Sequence, residues 1–205
     1  VYQGKLWALP LETSTQLLYY NKDLLSQAGL SDPSPKPSDR MTWEKLANDA
    51  LKAKQGGATN GMSFGQPNTY YQLEPLPVSL GGSVGAGGKD NLTPDFTDAA
   101  WVKAMTWYGQ LYASGAASKG ETSSTTDPDF LAGKTAYEVE GPWLVAELAS
   151  SKINWGVAPM PKFAGGKAVT PDGSWSLAMN PFSKHKDADA IFMKWMAITG
   201  GSGYI

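Results

Sequence analysis

Short apolar runs alternate along the chain with longer segments in which apolar residues recur every three or four positions. The runs bounded by Gly, Pro or Asn predict strands at residues 5–11, 17–21, 135–139, 155–158 and 175–179. Residues 76–80 form a further strand-like run, and the glycine-rich residues 81–88 after it predict a mobile loop. Strands separated by helical segments indicate an α/β layered fold.

Helical spacing of apolar residues marks four further segments. Residues 22–28 predict a short helix that ends at Gly29. Thr42 and Asp98 are N-cap residues, and each stands directly before a segment whose aromatic and aliphatic residues fall on one helical face. The last helix is predicted to begin at about Lys186 and to end at residues 200–201.

The composition excludes several classes of function. The 205 residues include 17 basic and 19 acidic side chains, for a net charge of −2, so no nucleic acid partner is expected. No stretch reaches the ~20 apolar residues that a membrane-spanning helix requires. The chain contains no Cys, one His and no calcium-loop pattern, so we expect neither a disulfide nor a metal site nor a cofactor.

Three enzyme motifs occur in incomplete form. Residues 81–85 match the G-x-S-x-G pattern around Ser83, but the helix that a nucleophile elbow requires is not predicted after the serine. Residues 133–135 resemble the end of a phosphate-binding loop, although Pro128 stands at the place of its first glycine. His185 lies between two lysines at a helix start, where a solvent-exposed position is expected. We therefore predict no catalytic residue among these motifs.

Glu138 and Glu140 provide the main enzymatic alternative. Their spacing within a predicted strand puts both carboxylates on one face, about 7 Å apart along the chain. That separation falls within the roughly 6.5 to 9.5 Å of an inverting glycosidase pair. Carboxylates on a strand face are more often solvated or hydrogen-bonded to a neighbouring helix end, and glycosidase carboxylates normally come from different elements. A glycoside hydrolase that uses this pair remains an open alternative.

Aromatic side chains make up 11% of the chain, and several fall outside the helical and strand patterns. Tyr70 and Tyr71 follow Gln-Pro-Asn-Thr, Trp143 follows Gly-Pro, and Trp175 follows Asp-Gly-Ser. Flat rings beside hydroxyl and amide groups suit a sugar, because its CH face packs on an aromatic plane while its hydroxyl groups need fixed polar partners. Ordinary core packing is the competing interpretation for each ring.

Three blocks of sequence form a pattern that is more specific than any single motif. The first contains Gly-Lys-Leu-Trp-Ala-Leu-Pro at 4–10, Leu-Tyr-Tyr-Asn-Lys-Asp-Leu at 18–24, Ala-Gly-Leu at 28–30 and Thr-Trp-Glu-Lys at 42–45. The second is Phe-Leu-Ala-Gly-Lys-Thr-Ala-Tyr at 130–137 with Glu-Gly-Pro-Trp at 140–143. The third contains Trp-Gly-Val-Ala-Pro-Met-Pro at 155–161, Gly-Ser-Trp-Ser-Leu-Ala at 173–178 and Ser-Lys-His-Lys-Asp-Ala at 183–188. In this order and spacing they resemble the extracellular solute-binding proteins of ABC sugar importers.

The resemblance implies the architecture of the maltose-binding branch of that family, in which two α/β lobes joined by hinge strands close on a saccharide without chemistry. On that basis the chain looks like an internal fragment. Residues 1–14 would hold the first hinge strand and part of the first lobe. Residues 15–155 would form the ligand-binding lobe, a mixed sheet flanked by helices, and residues 156–205 a return segment of the other, incomplete lobe.

The same resemblance implies a binding site and partners. Aromatic candidates would stack on the sugar, and polar candidates would bond its hydroxyl groups. The candidate ligand-binding residues are Trp143, Trp175, Tyr70, Tyr71, Glu12, Ser14 and Thr15. The expected partners are a carbohydrate, specifically an oligosaccharide, and the permease subunits of an ABC importer. The expected location is the periplasm or the outside of the cell, with an anchor at the cell surface.

Two further expectations concern other ligands and self-association. A binder of polyamines, phosphodiesters or metal ions is disfavoured, because the chain has few charges and many aromatic rings. Apolar residues at 6–11 and 175–179, and a helix face that includes Ile191, Phe192 and Trp195, would lie uncovered in a fragment. Because exposed patches of that kind usually find a partner, the fragment is expected to self-associate.

Overall fold

The computed structural model describes residues 3–200. The chain divides into a smaller unit, Val1–Thr15 with Asp172–Ile205, and a larger unit, Gln16–Pro171. The backbone therefore passes between the units twice, after Thr15 and after Pro171. Residues 156–171, which the sequence analysis placed in the return segment, belong to the larger unit.

Strands and helices alternate through the described residues. The strands are β1 (Leu9–Ser14), β2 (Leu17–Asn21), β3 (Asn60–Phe64), β4 (Ala86–Gly87), β5 (Thr93–Pro94), β6 (Thr135–Glu140), β7 (Trp155–Pro159) and β8 (Gly173–Leu177). The α-helices are α1 (Lys22–Gln27), α2 (Trp43–Gln55), α3 (Tyr70–Leu73), α4 (Pro75–Ser79), α5 (Ala99–Ser114), α6 (Ser123–Leu131), α7 (Leu144–Ser150) and α8 (Lys186–Lys194). The larger unit is thus a mixed α/β layer, as the sequence predicts.

A four-stranded sheet in the order β3-β6-β2-β7 forms the centre of the larger unit. β3 runs parallel to β6, whereas β2 pairs antiparallel with both β6 and β7. Tyr19 in β2 lies opposite Glu138 on one side and Val157 on the other. This register sets the ends of β3 and β6 side by side, where the chain leaves the sheet.

Side chains on both faces of this sheet are buried. Leu18 and Tyr20 belong to a large apolar cluster that also contains residues of α2 and α5. Tyr19 points to the opposite face, where it packs with Phe130 of α6 and Leu144 of α7. The alternation follows from the two-residue period of a strand. Each buried aliphatic or aromatic side chain contributes about 1.5–3 kcal/mol to this two-sided core.

Capping residues begin and end the helices as the sequence predicts. The Thr42 hydroxyl accepts the Lys45 N–H at 3.2 Å at the start of α2. Asp98 Oδ1 accepts the Trp101 N–H at 2.8 Å at the start of α5. Gly29 follows α1 with φ +67°, a left-handed conformation that favours glycine after a helix.

Four sequence predictions need correction. The strand-like run at 76–80 is helical, because α4 begins at Pro75, where a missing N–H costs no hydrogen bond. The first strand lies at Leu9–Ser14 instead of 5–11, and the last at Gly173–Leu177 instead of 175–179. The stretch 81–88, predicted as a loop, includes β4, which pairs with β5.

The smaller unit contains an antiparallel ladder between β1 and β8, together with α8. Ser14, the last residue of β1, lies opposite Gly173, the first residue of β8. Both connections to the larger unit therefore leave the same end of one two-stranded ladder. α8 begins after the exposed His185 and continues into a π-helical turn at Trp195–Thr199.

Candidate functional site

Trp143 lies at the point where β6 leaves the sheet and α7 begins. β6 ends at Glu140, Gly141 and Pro142 form the connection, and Trp143 is the N-cap of α7. Leu144, the next residue, is buried in the core, whereas Trp143 remains 42% exposed. The indole therefore lies outside the apolar stripe of its helix, as predicted.

Hydrogen bonds fix the indole in this position. Trp143 Nε1 donates to Oε1 of Glu140 at 2.8 Å, and the Gly141 N–H donates to Oε2 at 3.1 Å. The buried Tyr19 hydroxyl donates to the Gly141 carbonyl at 2.9 Å. A Cβ at Gly141 would lie 2.1 Å from the Trp143 ring, so only glycine lets the ring rest on this backbone. The connection between β6 and α7 thus holds the exposed indole ring in a fixed position.

Tyr71 provides a second ring beside Trp143. The two ring centroids are 6.5 Å apart, with 39° between the planes. The short helix α3, which carries Tyr71, is tied to the sheet through Gln72, whose side-chain amide donates to the Val139 carbonyl at 2.8 Å. The same side chain accepts the Gln66 N–H at 2.6 Å. Tyr71 and Trp143 are therefore placed by the same strand, β6.

Tyr70, the other tyrosine predicted to stack on a ligand, has a different attachment. Its hydroxyl donates to the carbonyl oxygen of Val84 in the glycine-rich segment. Burial raises the pKa of Tyr70, and the carboxylate of Glu74 adds to the shift. More than half of the side chain is exposed. Tyr70 therefore links α3 to the glycine-rich segment while its ring still faces solvent.

Three acidic side chains, Glu138, Glu140 and Asp127, interact electrostatically at and beside β6. Glu138 and Glu140 are both buried, so they are not solvated, and Glu140 is instead hydrogen-bonded at the start of α7. Burial holds the pKa of Glu138 well above its ordinary value, and the carboxylate of Asp127 on α6 adds to the shift. Burial likewise raises the pKa of Glu140 to about 7. Glu138 Oε1 accepts the Ser63 hydroxyl at 3.3 Å. Glu138 and Glu140 are thus enclosed by protein, whereas Asp127 is half-buried.

The remaining predicted residues lie in the smaller unit. Trp175 is 72% exposed and lies opposite Glu12 in the β1–β8 register. Glu12, Ser14 and Thr15 are half-buried. Ser14 is the end residue of β1, and Thr15 immediately precedes the passage to the larger unit. The seven candidates thus form two groups, one in each unit.

The structure also describes the surroundings of Ser83, the clustering of possible metal ligands and the lengths of the helices. The Ser83 hydroxyl donates to the Asp95 carbonyl at 2.9 Å and accepts the Gly85 N–H at 3.1 Å, so it stabilises a turn. Within residues 3–200, no three His, Asp or Glu side chains lie close enough to hold a metal ion. None of the helices in that range is both long and apolar enough to span a bilayer.

The roles of Gln72, Tyr19 and Glu140 in holding the aromatic pair were not predicted. The hydrogen bond from Tyr19 spans 122 positions and the one from Gln72 to Val139 spans 67, so no local sequence pattern predicts them. Glu140 was recognised as a notable acid, but as a member of a catalytic pair. The block Glu-Gly-Pro-Trp carried the signal, because a buried acceptor three residues before an exposed Trp allows this hydrogen bond.

The larger unit is an α/β layer that carries the Trp143–Tyr71 pair at the end of β6. A family model, the bacterial extracellular solute-binding protein, matches residues 1–201, and the chain belongs to that family. The periplasmic or extracellular location predicted from the sequence agrees with this membership. Relatives of the family described as lipoproteins also agree with the predicted location.

Individual relatives connect the chain to sugar-binding proteins. It is 29% identical over 176 residues to the maltodextrin-binding protein MdxE of Bacillus subtilis (strain 168), which covers 82% of this chain and 40% of that protein. It is 28% identical over 203 residues to a maltooligosaccharide ABC transporter solute-binding lipoprotein of Streptococcus pneumoniae (strain ATCC BAA-255 / R6), covering 96% of this chain and 46% of the relative.

A solved structure shows the same fold. The GacH receptor of Streptomyces glaucescens GLA.O, determined unliganded and with acarbose or an acarbose homolog, superposes with a TM-score of 0.76 and 29% identity. The superposition covers 96% of this chain and 50% of the receptor. The chain thus spans about half the length of the relatives that it matches. The fold predicted from the sequence is confirmed.

Proposed function

We propose that the chain is part of the substrate-binding component of an ABC importer and captures an oligosaccharide of the maltodextrin type. The observation that carries the proposal is the exposed Trp143 ring, held by Glu140 beside Tyr71 at the end of β6. An exposed indole beside a half-buried, tilted tyrosine ring suits the CH surface of consecutive glucose units. The names of the maltodextrin- and maltooligosaccharide-binding relatives support the same ligand class.

The chain crossings support a mechanism of capture between two lobes. Both passages to the larger unit leave the same end of the β1–β8 ladder, at Ser14 and Gly173. A pair of adjacent strands of that kind suits a hinge, because a few residues absorb the rotation on closure. Glu12, Ser14, Thr15 and Trp175, in the smaller unit, are proposed as further ligand contacts. The closed, loaded form would be the one presented to the permease subunits.

The buried carboxylates favour binding over catalysis. Glu140 is 2% exposed, and its two oxygens accept hydrogen bonds from Trp143 and Gly141, so its carboxyl group is directed at the protein. Glu138 is fully buried. A general acid must reach the leaving-group oxygen within hydrogen-bond distance. We therefore infer a binding protein that releases its sugar unchanged, and not a glycoside hydrolase.

Titration calorimetry of the protein as its gene encodes it, against glucose, maltose and longer maltooligosaccharides, tests the proposal. Saturable binding that strengthens with chain length is expected, because each added sugar ring covers more aromatic surface. Incubation with aryl glycosides should give no turnover. Turnover that disappears in Glu140→Gln would support the hydrolase instead, and binding restricted to charged ligands would refute the sugar assignment.

A further inference from the structure

We propose that Glu140 is a positioning residue whose ionised carboxylate holds the Trp143 indole in its binding-competent orientation, which makes sugar affinity dependent on pH near neutrality. This inference rests on the proposed function, because it assigns the indole to the ligand. It adds a regulated element to the site: one side chain that sets the orientation of the stacking surface without touching the sugar.

The hydrogen-bond geometry requires two acceptor oxygens on Glu140. Oε1 accepts Trp143 Nε1–H at 2.8 Å and Oε2 accepts the Gly141 N–H at 3.1 Å. A carboxylate offers two acceptors, whereas a protonated carboxyl carries an O–H on one of its oxygens. Protonation would therefore set an O–H against one of the two N–H groups. The ionised form alone satisfies both donors.

The carboxyl group has little room to turn away. A Cβ at Gly65, at the end of β3, would lie 2.3 Å from the carboxyl carbon of Glu140, so the carboxylate lies flat against the Gly65 backbone. The side chain is 2% exposed. The Trp143 ring lies over Gly141 on the same side of the strand end. Loss of the hydrogen bond is thus transmitted to the exposed indole and not absorbed by a rotation of Glu140.

Apolar packing alone does not determine the orientation of the indole. Leu144 and Leu148 face the core from α7, but Trp143 precedes the helix and is half exposed. The hydrogen bond to Glu140 and the contact with Tyr71 are the described interactions that orient it. A charge-assisted bond of this type is roughly twice as strong as a neutral one.

The groups that surround Glu140 oppose its ionisation. The titratable groups that act on it are Asp127 on α6, Glu138 on the same strand and Tyr19 on β2. Burial and the negative charge of Asp127 raise the pKa of Glu140, while the hydrogen bonds from Trp143 and Gly141 lower it; the result is a pKa of about 7. Since the described neighbours include no cation paired with Glu140, its charge state responds to small changes in pH.

The orientation is tested by two-dimensional ¹H–¹⁵N NMR of the indole N–H groups, with the Trp143 resonance assigned from Trp143→Phe. Between pH 5.5 and 8.5 this resonance should shift with an apparent pKa near 7, without sugar present. The shift should disappear in Glu140→Gln and persist in Glu147→Gln, the matched control on exposed α7 surface. A Trp143 resonance that does not titrate, or that titrates equally in Glu140→Gln, would overturn the positioning role.

Maltooligosaccharide titrations of the same variants connect the orientation to the ligand. Glu140→Ala should lower affinity about tenfold. Glu140→Gln offers one acceptor oxygen and one donor, like the protonated carboxyl, so at every pH it should bind as the parent does at low pH. In a Trp143→Ala background, Glu140→Ala should have no further effect. An equal loss in both backgrounds would overturn the proposal. A titrating resonance combined with unchanged binding by Trp143→Ala would instead refute the proposed ligand site.

Discussion

The hydroxyl of Tyr19, in the middle of β2, donates a hydrogen bond to the carbonyl oxygen of Gly141 at 2.9 Å, 122 residues further along the chain. The ring is buried with Phe130 and Leu144, and burial raises its pKa to about 12, so the hydroxyl keeps its proton at any physiological pH. The turn that carries Trp143 is thereby fastened to the central strand of the sheet.

Tyr19→Phe should lower the free energy of unfolding by about 1 kcal/mol, because the Gly141 carbonyl loses its donor while the ring packing is kept. The measurement is urea denaturation. Tyr137→Phe is the matched control: its hydroxyl is buried without a hydrogen-bond partner, so its removal should cost nothing or stabilise the protein. Equal losses in the two variants would show that the Tyr19 bond does not stabilise the turn.

Stability should fall as the pH rises from about 5 to 8. The pKa values of Glu138 and Glu140 are raised in the folded state, so the folded protein binds more protons than the unfolded chain in this range. Their contribution is fully present below the ordinary glutamate pKa and is lost as the pH passes the folded values. The urea concentration at the midpoint of unfolding should decline across this range. In Glu138→Gln it should depend less on pH. Exposed Glu147→Gln should leave the pH dependence unchanged. A midpoint that rises across this range would contradict the assignment.

Asp98 should have the opposite pH dependence. Backbone N–H groups of Ser83 and Trp101 lower its pKa, so its stabilising effect is present above the ordinary aspartate pKa and is lost as the pH falls through the lowered value. Asp98→Ala should lower the melting temperature at pH 7. It should also reduce the loss of stability that follows a fall in pH. Asp98→Asn retains a capping acceptor and should keep more of the neutral-pH stability. If both variants melted alike, the cap would not be the source of the effect.

The fold was largely predictable where local chemistry determines it. Thr42 and Asp98 predicted the starts of α2 and α5, because a capping side chain acts within three residues. The apolar run at 17–21 forms β2, as predicted. β3 was missed because Asn60, Gly61 and Ser63 interrupt its apolar pattern. These residues are buried for tertiary reasons: a Cβ at Gly61 would lie 2.3 Å from the Ala50 carbonyl of α2, and Asn60 bonds Thr135.

In the candidate site, too, the features set by neighbouring residues were predictable and those set by distant residues were not. Trp143 could be predicted as an exposed ring because Gly-Pro precedes it and the apolar stripe of α7 excludes it. The contacts that hold the end of β6 in place could not be predicted, because Tyr19, Gln72 and Gly65 come from distant parts of the sequence. α6 was missed for a different reason: its Ser-Ser-Thr-Thr start and Pro128 have poor helix propensity, and a capping box of Thr122 and Thr125 begins it.

The 205-residue chain studied alone should self-associate. The smaller unit exposes large apolar side chains, among them Phe182 at 88% and Ile191 at 71%. A patch of this kind favours association in water. Light scattering should show species larger than a monomer, and Ile191→Glu should reduce them. Val102→Glu, an equally drastic change on the exposed face of α5, should not. A monodisperse monomer for the unaltered chain would contradict this prediction.

The central claim is that the exposed ring of Trp143 binds sugar, and calorimetric titration of one pair of variants tests it most directly. Val145 lies two residues further on and has the same 42% exposure, which makes Val145→Ala the control for Trp143→Ala. In the protein as encoded, with maltooligosaccharides as titrants, Trp143→Ala should lose at least about 1–2 kcal/mol of binding free energy with little change in melting temperature. Val145→Ala should bind like the parent. Unchanged binding by Trp143→Ala, with a stability loss of about 3–5 kcal/mol as for a buried Trp, would contradict the account.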